Sequence, residues 1–249
     1  MTILAKDTPV GNLVSYYLSA EKDVLRSRSV GDVVLHGTLD IPAPPARLLA
    51  DWERETSLRL GLEPGDVESL PLPRARLRWP DYRDCVRSMS DWIATLAPGL
   101  ADVLADADIA LMTCRGARYH HDGAQYGGAA FCNLFLSEDK GLDLHFPGTG
   151  QRIPLVRGTA VVFDTGRPHA VIDRRSTRFS SGDFPADRDC GQVFLTWELP
   201  VENDAVASAL GIFFDVEPAL ALQTDQAQVR VDGRRAEVCA TSGRWLPAD

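Results

Sequence analysis

The chain has 249 residues, 45% of them apolar, which suffices for one substantial hydrophobic core. Its formal net charge of −9, with lysines and arginines scattered along the chain, argues against nucleic acid as a partner. The five cysteines are odd in number and include no Cys-x-x-Cys, so reduced thiols are expected rather than a disulfide framework or a zinc ribbon. No signal-peptide pattern and no apolar run of membrane-spanning length occur, and the expectation is a cytoplasmic protein without a membrane role.

The first hundred residues predict a mixed, mainly helical region. Residues 32–39 (DVVLHGTL) carry the β-branched side chains of a strand, and Pro42-Ala43-Pro44-Pro45 then breaks the chain. Leu48, Leu49, Trp52 and Leu60 follow a helical period over 46–60, with Gly61 placed to cap the end. Four prolines mark 62–80 as a connecting loop. A second helix is predicted over 81–96, with Val86, Met89, Trp92 and Ile93 on one side, and a third over 99–107. The tryptophans are expected to pack in the core.

From Ile109 the pattern changes to short apolar runs between turn residues. The runs are 109–114 (IALMTC), 129–136 (AAFCNLFL), 142–146 (LDLHF), 159–163 (TAVVF), 169–172 (HAVI) and 192–199 (QVFLTWEL). Many short strands separated by glycine-rich turns predict an all-β sandwich or barrel. The tail predicts a helix over 205–213 and a hairpin in which 229–231 and 236–238 flank Asp232-Gly233. No repeat or linker is evident. The economical reading is a single domain over 1–249, with helical N-terminal support (1–105), a β core (106–200) and a C-terminal extension (201–249).

Four of the five histidines (His120, His121, His145 and His169) fall within one stretch of about 50 residues. In Tyr119-His120-His121-Asp122-Gly123, a histidine and a carboxylate two residues apart in an extended segment point to the same face. His120 and Asp122 can therefore grip one metal ion, with His169 from a neighbouring strand completing the set. Two imidazoles and one carboxylate on one side of an ion is the arrangement of non-haem iron(II) oxygenases.

Residues 119–199 resemble the double-stranded β-helix (jelly-roll) core of iron(II)/2-oxoglutarate-dependent oxygenases. The resemblance is carried by the His-x-Asp pair, FCNLFLSE, GLDLHF and VRGTAVVFDTGRPHAV. It implies His120, Asp122 and His169 as both catalytic residues and iron ligands, with 2-oxoglutarate as cosubstrate and O₂ as oxidant. It implies hydroxylation of an unactivated C–H bond in a small polar metabolite, such as an amino acid or natural-product intermediate. It also implies an arginine for the far carboxylate of 2-oxoglutarate, because a guanidinium meets a carboxylate with two parallel hydrogen bonds. Arg178, followed by Phe179-Ser180, reproduces the family's Arg-x-Ser; Arg188 is the rival, and Gln192 stands where such an arginine often starts the last strand. Asn133 lies where the family places residues lining the cosubstrate pocket, although a solvent-facing asparagine remains an alternative.

Other readings stay open at this level. His121 with Gly123 gives His-x-Gly, which resembles the superfamily's halogenases, and a cupin-like metal enzyme without 2-oxoglutarate or a metal-free sensor domain would also use such a barrel. His145 is expected as a core or rim histidine, and Arg118 and Tyr126 flank the metal pair as either substrate contacts or rim residues. Cys114 and Cys132 are expected as buried thiols that could approach one another on adjacent strands.

Overall fold

The computed structural model describes residues 12–19, 24–56 and 63–248. The described residues begin with two strands that the sequence did not announce, β1 (Leu13–Leu18) and β2 (Leu25–Ser29). In β2, Leu25-Arg26-Ser27-Arg28-Ser29 offers no apolar run, and only pairing with β1, Ser15 opposite Arg28, reveals it. Next comes β3 (Leu35–Thr38), inside the predicted 32–39 segment. Helix α1 (Ala46–Arg54) buries Leu48 and Trp52, four residues apart on one face. The far end of the predicted helix, with Leu60 and Gly61, lies outside the described residues.

The region read as a proline loop contains β4 (Val67–Leu70) and a short helix, α2 (Leu72–Arg76). Helix α3 (Tyr82–Ala94) buries Cys85, Met89 and Ile93 at four-residue spacing, with Val86 and Trp92 partly covered beside them. Helix α4 (Leu100–Asp106) follows and buries Leu100 and Leu104.

The eight central strands are β5 (Ile109–Cys114), β6 (Ala117–His120), β7 (Ala129–Phe135), β8 (Leu142–Phe146), β9 (Gln151–Pro154), β10 (Thr159–Asp164), β11 (His169–Asp173) and β12 (Gln192–Pro200). One sheet has the order β3-β10-β7-β12-β5-β4 and the other β6-β11-β8-β9. Apart from the β8–β9 hairpin, each connection from β5 to β12 carries the chain to the opposite sheet. This alternation is the double-stranded β-helix, as the resemblance implies. The turn before β10 depends on glycine: Gly158 has φ +85°, and a Cβ there would lie 1.9 Å from the Leu39 carbonyl oxygen.

The larger sheet is buried on both faces, which is why its strands read as nearly continuous apolar runs. Ala130, Cys132, Leu134, Ala160, Val162, Leu195 and Trp197 pack against α1, α3 and α4. Phe135, Val161, Phe163 and Phe194 turn the other way, into the barrel, to meet Leu142, Leu144 and Phe146 of the smaller sheet. Cys114 and Cys132 do not approach as neighbours, because β12 separates their strands. Both thiols are buried, and burial pushes that of Cys114 up to about 12.

After β12, helix α5 (Asp204–Leu210) is capped by the Asn203 side chain, which accepts from the Ala205 N–H at 2.9 Å. It stops before the predicted residue 213 because Gly211 takes the left-handed conformation at its C-terminus. Helix α6 (Pro218–Ala221) leads to the predicted hairpin, formed by β13 (Gln228–Val231) and β14 (Arg234–Val238), and then to β15 (Trp245–Pro247). These strands join β1 and β2 in a five-stranded sheet, order β15-β14-β13-β1-β2, which pairs an early strand with late ones.

A fully buried ion pair fastens that sheet to the barrel. Arg28 donates to both Asp164 oxygens, at 2.5 and 2.9 Å, and to the Gly127 carbonyl at 2.8 Å. No helix among the described residues is long and apolar enough to cross a membrane.

Candidate metal centre

β6 ends at His120 and β11 begins at His169, and the two residues are direct partners in the antiparallel ladder. One mouth of the barrel therefore carries both imidazoles, with ring centroids 4.4 Å apart. Asp122 lies just beyond the end of β6, so strand alternation alone does not position it. Its N–H donates to the Thr165 carbonyl at 2.8 Å, while the Thr165 hydroxyl donates to the carbonyls of Tyr126 and Ala129. The β10–β11 turn thus holds the loop that presents the carboxylate. Gly123 allows this approach: a Cβ there would lie 2.6 Å from Val229 Cγ2 and 3.0 Å from the Gly166 Cα.

The ligand atoms of His120, Asp122 and His169 all lie within 4.8 Å of one another. His120 Nε2 is 3.7 Å from Asp122 Oδ1, and His169 Nε2 is 3.6 Å from Asp122 Oδ2. Two donors each about 2.1 Å from one ion can be at most about 4.2 Å apart, so both separations suit a shared cation. They are too long for hydrogen bonds. Asp122 Oδ2 is buried and has no hydrogen-bond partner among the described residues. An orphaned carboxylate oxygen facing two imidazole nitrogens calls for a cation.

The outer hydrogen bonds fix which nitrogen faces inward. His120 Nδ1 donates to the Arg118 carbonyl at 2.7 Å, and His169 Nδ1 to that of Arg167 at 3.0 Å. Each Nε2 is then left with its lone pair toward the carboxylate. Burial, with His120 adding to it, holds the His169 imidazole well below its ordinary range, in the neutral form a metal needs. Burial raises the Asp122 carboxyl, and the neighbouring His120 and His121 rings oppose the shift only in part.

The other histidines stand apart from this group. His121 packs against Trp245 at 5.2 Å and accepts from the Gly123 N–H at 3.2 Å. His145 is bonded through Nδ1 to the Tyr119 hydroxyl at 2.5 Å. Arg118 pairs with Asp66, and Tyr126 packs on Phe131 at 5.1 Å.

The candidate cosubstrate residues meet different fates. Asn133 is buried on the barrel-facing side of β7 and accepts from Thr196. Arg178 is exposed, five residues past the end of β11, with no hydrogen bond or ion pair among the described residues. Arg188 is committed elsewhere: it donates to Asp173 at 2.6 Å and to the Lys140 carbonyl at 2.9 Å. Gln192 is fully buried, and neither amide atom has a partner among the described residues. The residue that the sequence reading missed is Arg167, two positions before His169. It is buried, and its guanidinium lies over the Phe146 ring at 5.6 Å. Its only signal was its place inside VRGTAVVFDTGRPHAV.

No protein-family model matches the sequence, and no curated protein matches it. Among solved structures, a prolyl-4-hydroxylase from Pseudomonas putida is similar over 67% of this chain and 92% of its own, with 19% identity and a TM-score of 0.39. EvdO2 from Micromonospora carbonacea var. aurantiaca is similar over 77% of this chain and 92% of its own, with 13% identity and a TM-score of 0.39. The same protein complexed with 2-oxoglutarate is similar over 79% and 93%, with 14% identity and a TM-score of 0.37. The fold assignment rests on the strand order itself: the chain is a double-stranded β-helix protein with two histidines and one aspartate gathered at one mouth of its barrel.

Proposed function

We propose that the protein is an iron(II)- and 2-oxoglutarate-dependent oxygenase that hydroxylates an unactivated C–H bond of a small polar metabolite, such as an amino acid or natural-product intermediate. The observation that carries this reading is the group of His120, Asp122 and His169, with the buried, unpartnered Asp122 Oδ2 between two oriented imidazoles. When bound, iron(II) with 2-oxoglutarate and O₂ supplies the oxidising chemistry, which no side chain can.

The chain's own residues do the rest. His120 and His169 present their Nε2 atoms, and Asp122 supplies the anionic oxygen that offsets part of the charge of a dication. The backbone carbonyls of Arg118 and Arg167 hold both rings in one orientation. Phe163, with its ring 4.8 Å from that of His169, and Phe146, at 6.2 Å, wall the inner side of the site and limit access of water. In this reading Asn133 lines the cosubstrate pocket. Arg178, which forms no ion pair among the described residues, takes the far carboxylate of 2-oxoglutarate.

The His120–Asp122 register is preferred over His121 with Gly123, since His121 is occupied with Trp245 and Gly123 N–H. A halogenase that leaves a ligand position open at Gly123 would have to turn that ring round.

Anaerobic calorimetry tests the proposal. 2-Oxoglutarate should bind only when iron(II) or manganese(II) is present, and His169→Ala should lose both metal and cosubstrate binding. Metal-independent binding, or none in the loaded wild type, would move the reading to a cupin-like enzyme that does not use 2-oxoglutarate.

A further inference from the structure

We propose that Arg167 binds a carboxylate at the rim of the His120–Asp122–His169 group. This rests on the metal-site reading above and adds to it the charge of a ligand that enters the mouth.

Arg167 is only 7% exposed, yet among the described residues its side chain makes a single hydrogen bond, to the Gly31 carbonyl at 3.4 Å. A guanidinium has five N–H donors in a planar fork, so nearly all of its capacity is unused. The neighbouring buried carboxylate cannot take it up. Asp164 Oδ2 already accepts from Arg28 and the Gly31 N–H, and Oδ1 accepts from Arg28 and the Gly166 N–H. Asp32 supports the charge from a distance without forming an ion pair.

The position points to the metal mouth. Arg167 lies in the β10–β11 turn, its carbonyl orients His169, and its guanidinium covers the Phe146 ring. Phe146 in turn packs beside the His169 ring. A buried cation with spare, coplanar donors beside a metal group suits a carboxylate held by two parallel bonds. In the reading above Arg178 takes the far end of 2-oxoglutarate, so the carboxylate at Arg167 belongs to the molecule being oxidised.

Calorimetry on wild type, Arg167→Gln and Arg167→Lys, each loaded with manganese(II), tests the assignment. The first arm titrates 2-oxoglutarate and 2-oxobutyrate, a keto acid without the second carboxylate. A loss of about tenfold or more for 2-oxoglutarate in Arg167→Gln, with 2-oxobutyrate unchanged, would give Arg167 the cosubstrate and overturn the proposal. The second arm titrates acetate, the minimal carboxylate, into the complex with manganese(II) and 2-oxoglutarate. Acetate binding in wild type that disappears in Arg167→Gln is the expected result, and Arg167→Lys should restore part of it. Manganese(II) affinity should stay unchanged throughout, which sets a ligand-binding role apart from damage to the metal group. If Arg167→Gln alters neither titration, the proposal is overturned. If wild type takes up no metal, the oxygenase reading falls on its own. Acetate titrated into the metal-free wild type and Arg167→Gln then decides the arginine: binding lost in the variant upholds it, and equal or absent binding overturns it.

Discussion

The two ends of β11 treat charge in opposite ways. At its start, the mouth that carries the candidate metal group leaves polar groups unsatisfied among the described residues: Asp122 Oδ2 has no partner, two imidazole nitrogens face it, and Arg167 has donors to spare. About 13 Å along the strand, at its end, guanidiniums and carboxylates satisfy one another. Asp173 accepts from Arg175 and Arg188, and Asp143 accepts from Arg152 and Arg174. Arg174 also forks onto Asp139. Taking a ligand would cost Arg188 a partner of its own. Unspent capacity marks the end where a ligand is expected.

The sharpest way to break this contrast is at the mouth. His120→Ala, Asp122→Ala and His169→Ala should each abolish turnover and metal binding while the circular dichroism spectrum stays native. Full activity and wild-type iron(II) affinity in Asp122→Ala would remove the aspartate from the site.

Next in size is the clamp behind the mouth. Asp164→Ala strands the Arg28 guanidinium in a fully buried position, and the expected loss is about 3–5 kcal/mol in urea unfolding. A loss below about 1 kcal/mol would show that water reaches Arg28.

The far end should answer to acid instead. Burial alone would raise the Asp173 carboxyl, but hydrogen bonds from Arg175 and Arg188 outweigh it and hold the group well below the usual carboxylate range. A depressed carboxyl stabilises the fold fully above its unfolded value near 3.9, and that contribution is lost as pH falls through the folded value. Stability should therefore fall from about pH 4 downward, and Asp173→Asn should flatten that part of the curve. An unchanged acid limb would mean the arginines bind nothing that matters to stability.

The smallest effect concerns Gln192, whose buried amide is an exception at the far end of the barrel. Gln192→Met replaces an unsatisfied polar group with an apolar one of similar length and should stabilise the ligand-free protein by about 1 kcal/mol in thermal unfolding. Destabilisation would point to ordered water bound at the amide.

Period and composition determined much of the barrel before any coordinates. IALMTC and LDLHF became strands with the bounds read from the sequence, because short apolar runs set off by turn and polar residues are too short for helices. His120, Asp122 and His169 were legible as a group because their residue types and spacing are restrictive. Strands β1 and β2 were not, since Leu25-Arg26-Ser27-Arg28-Ser29 carries no apolar signal and is held by pairing with β1 and by the Arg28–Asp164 bond. The arginines were the least legible. Arg167, Arg178 and Arg188 are the same residue in sequence, and each becomes buried with spare donors, exposed, or paired with Asp173 only when distant strands set its neighbours. Side-chain type fixes how many bonds a group can make, whereas tertiary contacts decide how many remain unmade.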